Sequence, residues 1–429
     1  MLKPEGAKEL REFSIRSYQE NVTQITDNVW HVLGMGHSNA IFIEADTSVI
    51  LIDTLDTLER GQRLRGLIEE KTGKQVKTII YTHGHPDHRG GAGAFADLEP
   101  EVLAFAPAVP VLRGTDRVMD ILMQRGARQF GYSLSDEENI SQGIGIREGM
   151  VYGEKRAFLP PTVVYREPKV ERVIDGVTLE LVRLPGENDD QAAIWLPEER
   201  VLCCGDNYYG CWPNLYAIRG SQYRDVAGWV DSLDRLLAYP AEYLLPGHTA
   251  PLCGRDEIRS VLGTFRDSIA WVLDETLTGM NEGKDVDTLA SEIRLPEEYA
   301  AQPFLQEHYG CVEWTVRAIF TGYAGWFDGN PTKLHPLPPK EHAVRMLALM
   351  GGAEKALAEA GEALRKGERA LEAHEFQWCL ELCDLCLAAG QQETEAGRCK
   401  AQAMRGLAEM ETSANGRHYY LVCAGELEK

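Results

Sequence analysis

Thr82-His83-Gly84-His85-Pro86-Asp87-His88 directly follows the apolar run from Val76 to Tyr81. The run reads as a short strand, so three histidines and an aspartate lie within six residues just beyond a strand end. Imidazole nitrogen and carboxylate oxygen together suit a borderline-soft divalent ion such as zinc. His83 and His85 alternate on an extended segment and can face one ion, while Asp87 and His88 turn toward a second.

Three more ligand-type residues stand in comparable places downstream. Glu187 follows Leu184-Pro185-Gly186, Asp206 follows Cys204-Gly205, and His248 follows Pro246-Gly247. Each lies at the carboxyl end of a short apolar strand, so a sheet-built fold can bring them to one rim. The expected division places His83, His85 and Glu187 on one ion, Asp87, His88 and His248 on the other, and Asp206 between them.

Working outward, residues 22–32, 40–44 and 48–53 are β-rich runs separated by turn residues, and 57–72 has helical spacing that Gly73 ends. A second β-rich block spans 163–204, with strict alternation after Val177, and an amphipathic helix follows at 223–237. Two β-rich halves with helices outside them predict an α/β, four-layer αββα sandwich. Residues 131–153 form a Gly-, Ser- and Asp-rich stretch of the length associated with a functional lid. After residue 256 the pattern becomes helical, and 341–390 and 393–411 read as an antiparallel array of tetratricopeptide-like helices. The expected partition is a catalytic domain over 1–255, a helical connecting region over 256–339, and a helical dimerisation domain over 340–429.

The 429-residue chain carries 44 Lys and Arg against 66 Asp and Glu, a net charge of −22, which argues against nucleic acid or an anionic membrane as partner. No apolar run approaches the roughly eighteen residues of a membrane span, and the N-terminus has no secretory pattern. The ten cysteines show no paired framework, which is the usage of a cytoplasmic protein with free thiols. Cys379, Cys383 and Cys386 share one helix face among leucines and read as core. His37 reads as structural or at the site rim.

The 83–88 motif resembles the HxHxDH signature of the metallo-β-lactamase superfamily. Glu187, the 213–220 stretch Pro-Asn-Leu-Tyr-Ala-Ile-Arg-Gly, Tyr309-Gly310 and the 325–331 stretch Gly-Trp-Phe-Asp-Gly-Asn-Pro narrow it to a resemblance to the zinc-dependent alkyl sulfatases. The resemblance covers nearly the whole chain, short of the family's further sterol-carrier-like C-terminal domain. It implies the metallo-β-lactamase sandwich, a helical dimerisation domain, a homodimer, and two zinc ions on His83, His85, Asp87, His88, Glu187, Asp206 and His248. It also implies hydrolysis of a small-molecule sulfate ester by metal-activated water, with Asp87 and Asp206 as catalytic ligands. Arg219 falls at the family's sulfate-binding arginine, and Asn214 and Tyr216 are further candidates for holding substrate. Another hydrolase of the same fold, acting on a thioester, lactone or phosphoester, is the alternative enzyme. A non-catalytic interaction protein is the alternative from another class.

Overall fold

A computed structural model describes residues 2–429 and divides the chain into two compact units. One contains residues 14–118 and 141–323; the other contains the N-terminal stretch through Phe13 together with 119–140 and 324–429.

The first unit is built on two sheets. Strands β1 (Asn21–Gln24), β2 (Val29–Leu33), β3 (Ala40–Glu44), β4 (Val49–Ile52), β5 (Val76–Ile80), β6 (Glu101–Phe105) and β7 (Val163–Tyr165) lie side by side in chain order. The first four pair antiparallel and the rest pair parallel. Strands β8 (Lys169–Ile174), β9 (Val177–Arg183), β10 (Ala192–Leu196), β11 (Val201–Gly205), β12 (Tyr243–Pro246) and β13 (Leu252–Cys253) form the second sheet, in which only β11 and β12 pair parallel.

Side-chain alternation explains the layering. Ile41, Ile43, Ile50, Ile52 and Ile80 of one sheet share a core with Leu179, Leu181, Ile194, Cys203 and Leu245 of the other. The residues between them point outward. Phe42, Leu51 and Ile79 pack with Leu64 and Ile68 of the Leu58–Thr72 helix, and Trp195, Leu202 and Leu244 pack with Trp229 and Leu233 of the Val226–Leu237 helix. Strands covered on both faces read as continuous apolar runs, as these do. The result is the expected four-layer α/β sandwich.

Strand direction gathers the site. In the first sheet β2, β4 and β5 run the same way, and in the second β9, β11 and β12 do. The loops after these six strands carry His37, Asp53, the 83–88 motif, Glu187, Asp206 and His248. The backbone N–H of Asn39 donates to the Gly247 carbonyl at 2.7 Å, tying the two rims together.

The 131–153 stretch is not a lid. Its second half is threaded through the first unit: Ser141, Gln142 and Ile144 are buried, and the Tyr18 hydroxyl donates to the Gly143 carbonyl at 2.7 Å. Gly149 N–H donates to Asp56 Oδ2 at 2.8 Å, and Arg60 donates to the Arg147 carbonyl at 3.0 Å. Backbone bonds to buried side chains compensate for the missing regular structure.

The second unit contains the helices Pro339–Met350, Ala353–Ala370, Ala373–Ala389, Glu393–Met410 and Ala414–Leu427, joined by short turns. Small residues dominate their shared core: Ala356, Ala360, Ala363, Ala401 and Ala403 let the helices approach closely around Phe376. The Met119–Gln129 helix belongs to this unit as well, with the His418 imidazole at 3.0 Å from the Gln129 carbonyl.

Candidate metal centre

All seven ligand-type residues come together. His88 Nε2 and His248 Nε2 lie 3.4 and 3.3 Å from Asp206 Oδ2, and His83 Nε2 lies 3.7 Å from the same oxygen. Asp87 Oδ2 is 3.4 Å from His88 Nε2 and 3.5 Å from His248 Nε2. With His37 as an eighth member, their donor atoms fall into three groups, each within 4.8 Å: His37, Asp87 and His248; His83, His88 and Asp206; His85, Glu187 and Asp206. Asp206 belongs to two of the groups, the position that a bridging carboxylate needs.

The residues behind the cluster fix its orientation. Asp53 Oδ2 is 2.7 Å from His88 Nδ1 and accepts from the Thr82 hydroxyl at 2.7 Å, while its Oδ1 accepts from Thr82 N–H at 2.8 Å. One carboxylate thereby aims the His88 Nε2 inward and pins the start of the motif. His248 Nδ1 faces the His37 carbonyl at 3.1 Å, which turns its Nε2 toward Asp206. Gly247 allows the approach, because a Cβ there would stand 2.2 Å from Asp206 Oδ1 and 2.9 Å from the His88 ring.

The donor set fits divalent cations. Nε2 of His88 and His248, Oδ1 of Asp206 and Oε2 of Glu187 are buried atoms with no hydrogen-bond partner. Unsatisfied buried polar atoms each cost about 1–3 kcal/mol, and a cation among them would use the same lone pairs.

Burial and mutual charge shift these groups strongly. Burial disfavours charge on His88, but Asp206, Asp87 and Asp53 outweigh it and raise its pKa well above the usual value. Burial, reinforced by His88, lowers His83 to about 3. Burial opposes ionisation of Asp206, yet His248, His88 and His83 hold it well below the carboxylate range. Burial raises Glu187 to about 7, against the pull of Arg224. Such opposed environments are the mark of a functional site.

Comparison with known proteins places this geometry. Residues 33–248 match the metallo-beta-lactamase superfamily, and residues 285–429 match the alkyl sulfatase dimerisation family. A linear primary-alkylsulfatase of Pseudomonas sp. is 35% identical over 90% of this chain and 73% of its own length. An alkyl/aryl-sulfatase of Saccharomyces cerevisiae is 32% identical over 95% of this chain and 64% of its own. The solved structure of a stereoselective inverting sec-alkylsulfatase from Pseudomonas sp. superposes with a TM-score of 0.83 at 27% identity, covering 95% of this chain and 65% of that one. This chain therefore spans about two thirds of the length of such relatives.

The chain belongs to the alkylsulfatase family of the metallo-β-lactamase superfamily.

Within this alkylsulfatase fold, Arg219, singled out for substrate, stands near His85. Arg219 and Arg224 both depress His85, behind burial and the neighbouring His83. Burial lowers Arg219 and Arg224 adds to it, while Tyr309, Glu187 and Asp87 oppose them. Asn214 is buried, with Oδ1 lacking a hydrogen-bond partner. Tyr216 is half-buried in the same segment.

Three neighbours were not singled out from sequence as functional. Arg224, buried, donates to Glu187 Oε1 at 3.0 Å and also to the Asn214 carbonyl. It lies outside the 213–220 stretch, and no local pattern separates it from a surface arginine. Tyr309, quoted only as part of the family resemblance, is buried with its hydroxyl pKa raised by burial and by Glu187. His37, expected to be structural or at the rim, places Nε2 3.8 Å from Asp87 Oδ2 and Nδ1 3.0 Å from the Ile146 carbonyl. Only the tertiary fold brings the 141–149 strap to hold that ring.

Proposed function

We propose that this alkylsulfatase-family chain hydrolyses a small-molecule sulfate ester at two zinc ions. His83, His85 and Glu187 would hold one ion, Asp87, His88 and His248 the other, with Asp206 shared. The observation that carries the reading is the convergence of these seven side chains, four of them with an unpartnered buried atom, beside two buried or part-buried arginines.

Bound there, the ions supply positive charge that lowers the pKa of a water toward about 7, so the protein needs no strong base of its own. The chain's residues do the rest. Arg219 presents a planar fork of N–H donors that matches a sulfate oxygen edge, and Asn214 and Tyr216 line the same segment. Arg224 favours the ionised, ligating form of Glu187 by opposing part of the effect of burial. Asp87 and Asp206 add negative charge where the attacking water must lose a proton, and orient it by accepting its hydrogen bonds. Charge that develops on the sulfate oxygens is met by fixed donors in a site whose residues are largely buried. The chain is taken to act as a homodimer through the helical unit, in keeping with the dimerisation family matched there.

The test is a substrate panel with the zinc-loaded protein. An alkyl or aryl sulfate is turned over, and chelation abolishes the activity until zinc is returned. Turnover of a thioester, lactone or phosphodiester with none of any sulfate ester would refute the reading. Oxygen-18 water then assigns the cleaved bond by labelling either sulfate or alcohol.

A further inference from the structure

The second unit contains a cluster that the hydrolytic site does not use. Cys379 and Cys383 stand one turn apart on the Ala373–Ala389 helix, and Cys399 faces them from the Glu393–Met410 helix. The three sulfurs lie within 4.8 Å of one another, and Cys379 Sγ is 3.4 Å from Cys399 Sγ. Cys379 and Cys383 are fully buried and Cys399 is 9% exposed.

A cation bound by three thiolates at about 2.3 Å sets their sulfurs about 4 Å apart, within the range this triangle spans. Ordinary core cysteines are placed differently. Cys386 shares the helix face, but its thiol reaches the Ala353 carbonyl at 3.9 Å rather than joining the triangle. Cys379 also reaches the Cys399 carbonyl at 3.9 Å, so its thiol is oriented toward the facing helix. The thiolate is the form of each sulfur that binds metal.

We propose that Cys379, Cys383 and Cys399 form a binding site for one thiophilic cation of the zinc or copper(I) kind, joining two helices of the helical unit. Soft thiolate sulfur selects such ions over magnesium or calcium. Binding exchanges thiol protons for the cation and releases them to solvent, so no oxidant is needed. The ion would link the two helices and stabilise the unit by mass action, independently of the histidine cluster.

Cadmium(II) is a suitable probe, because its thiolate charge-transfer absorption is silent for imidazole and carboxylate ligands. Titration of the reduced full-length protein is expected to bring the band to the amplitude of one three-thiolate site per chain, cadmium held by the histidine cluster adding nothing to it. Cys399→Ala should remove the band, while Cys386→Ala and His85→Ala should keep it. Absence of the band in the unaltered protein overturns the proposal, which needs no variant to fold. A band that survives Cys399→Ala also overturns it. So does recovery of a Cys379–Cys399 disulfide peptide from freshly purified protein that takes up no cadmium after reduction, since the pair would then be a redox crosslink.

Discussion

Asp53 is the residue on which the histidine cluster turns. It sits at φ 58°, in the left-handed region that Asn tolerates at least as well as Asp, so Asp53→Asn should keep the backbone path. What changes is the negative charge behind His88 Nδ1 and one of two acceptors for Thr82. Loss of such a supporting carboxylate typically costs about 10–100-fold in metal affinity. Competition with a chelating dye should show that loss, with near-native circular dichroism. Arg224 tests the other end of the centre. Burial raises Glu187 to about 7 even with Arg224 opposing it, so Arg224→Met should raise it further. A carboxyl group with a raised pKa is protonated below that value and cannot bind metal there. The variant should therefore retain less zinc than the parent after dialysis at pH 7 and recover part of it at pH 9. Equal zinc content at both values would show that Arg224 does not govern Glu187.

At the scale of elements, the loop after β2 and the loop after β12 hold each other, and His31 makes that link sensitive to acid. The Asn39 amide nitrogen lies 3.1 Å from His31 Nε2, 3.0 Å from the Pro246 carbonyl and 2.8 Å from the Thr249 carbonyl. Burial lowers His31 to about 4 from 6.5. In the unfolded chain the imidazole takes its proton near 6.5, while the folded one resists until about 4, so stability is intact above 6.5 and falls with pH between those values. At pH 5 the loss from this group is about 2 kcal/mol. Denaturant titrations at pH 7 and pH 5 should show His31→Gln losing less stability over that interval than the parent; an equal loss would rule out His31 as the sensor. These loops also show how far sequence reaches. Alternation in β9 and the apolar runs ending at residues 80, 205 and 246 carry the sandwich and its rim, because burial on one or two faces leaves a periodic trace. The 83–88 motif, Glu187, Asp206 and His248 were legible for the same reason, each standing where such a run stops. The 141–149 strap left no trace: its place is set by hydrogen bonds donated by Tyr18 and Arg60 and accepted by Asp56, which no local period encodes. Arg224 and His37 were opaque likewise, since the cluster carboxylates they face, Glu187 and Asp87, lie 37 and 50 residues away.

At the scale of the whole molecule, the helical unit is assembled from separate parts of the chain, and this governs what truncation does. Leu134 packs with Ala408, Leu421 and Val422, and Arg128 pairs with Glu426 at 2.7 Å. Removing residues 340–429 therefore strips the 119–140 segment of its apolar and ionic partners as well as deleting five helices. A domain boundary drawn at 340 is thus a poor place to cut, and the shortened chain should aggregate rather than persist as an active monomer. The intact unit also exposes Trp326, Leu349, Leu371 and Trp378, large apolar side chains that a second copy could cover. Sedimentation of the full chain should accordingly give twice the 47.8 kDa of one chain, in a concentration-dependent equilibrium that Leu349→Glu shifts toward monomer. That substitution adds a charge at a position 84% exposed within the chain, so it should leave the unit folded. A stable, fully active dimer lacking residues 340–429 would show that pairing resides elsewhere, whereas loss of pairing in Leu349→Glu with helicity unchanged would locate it on this face.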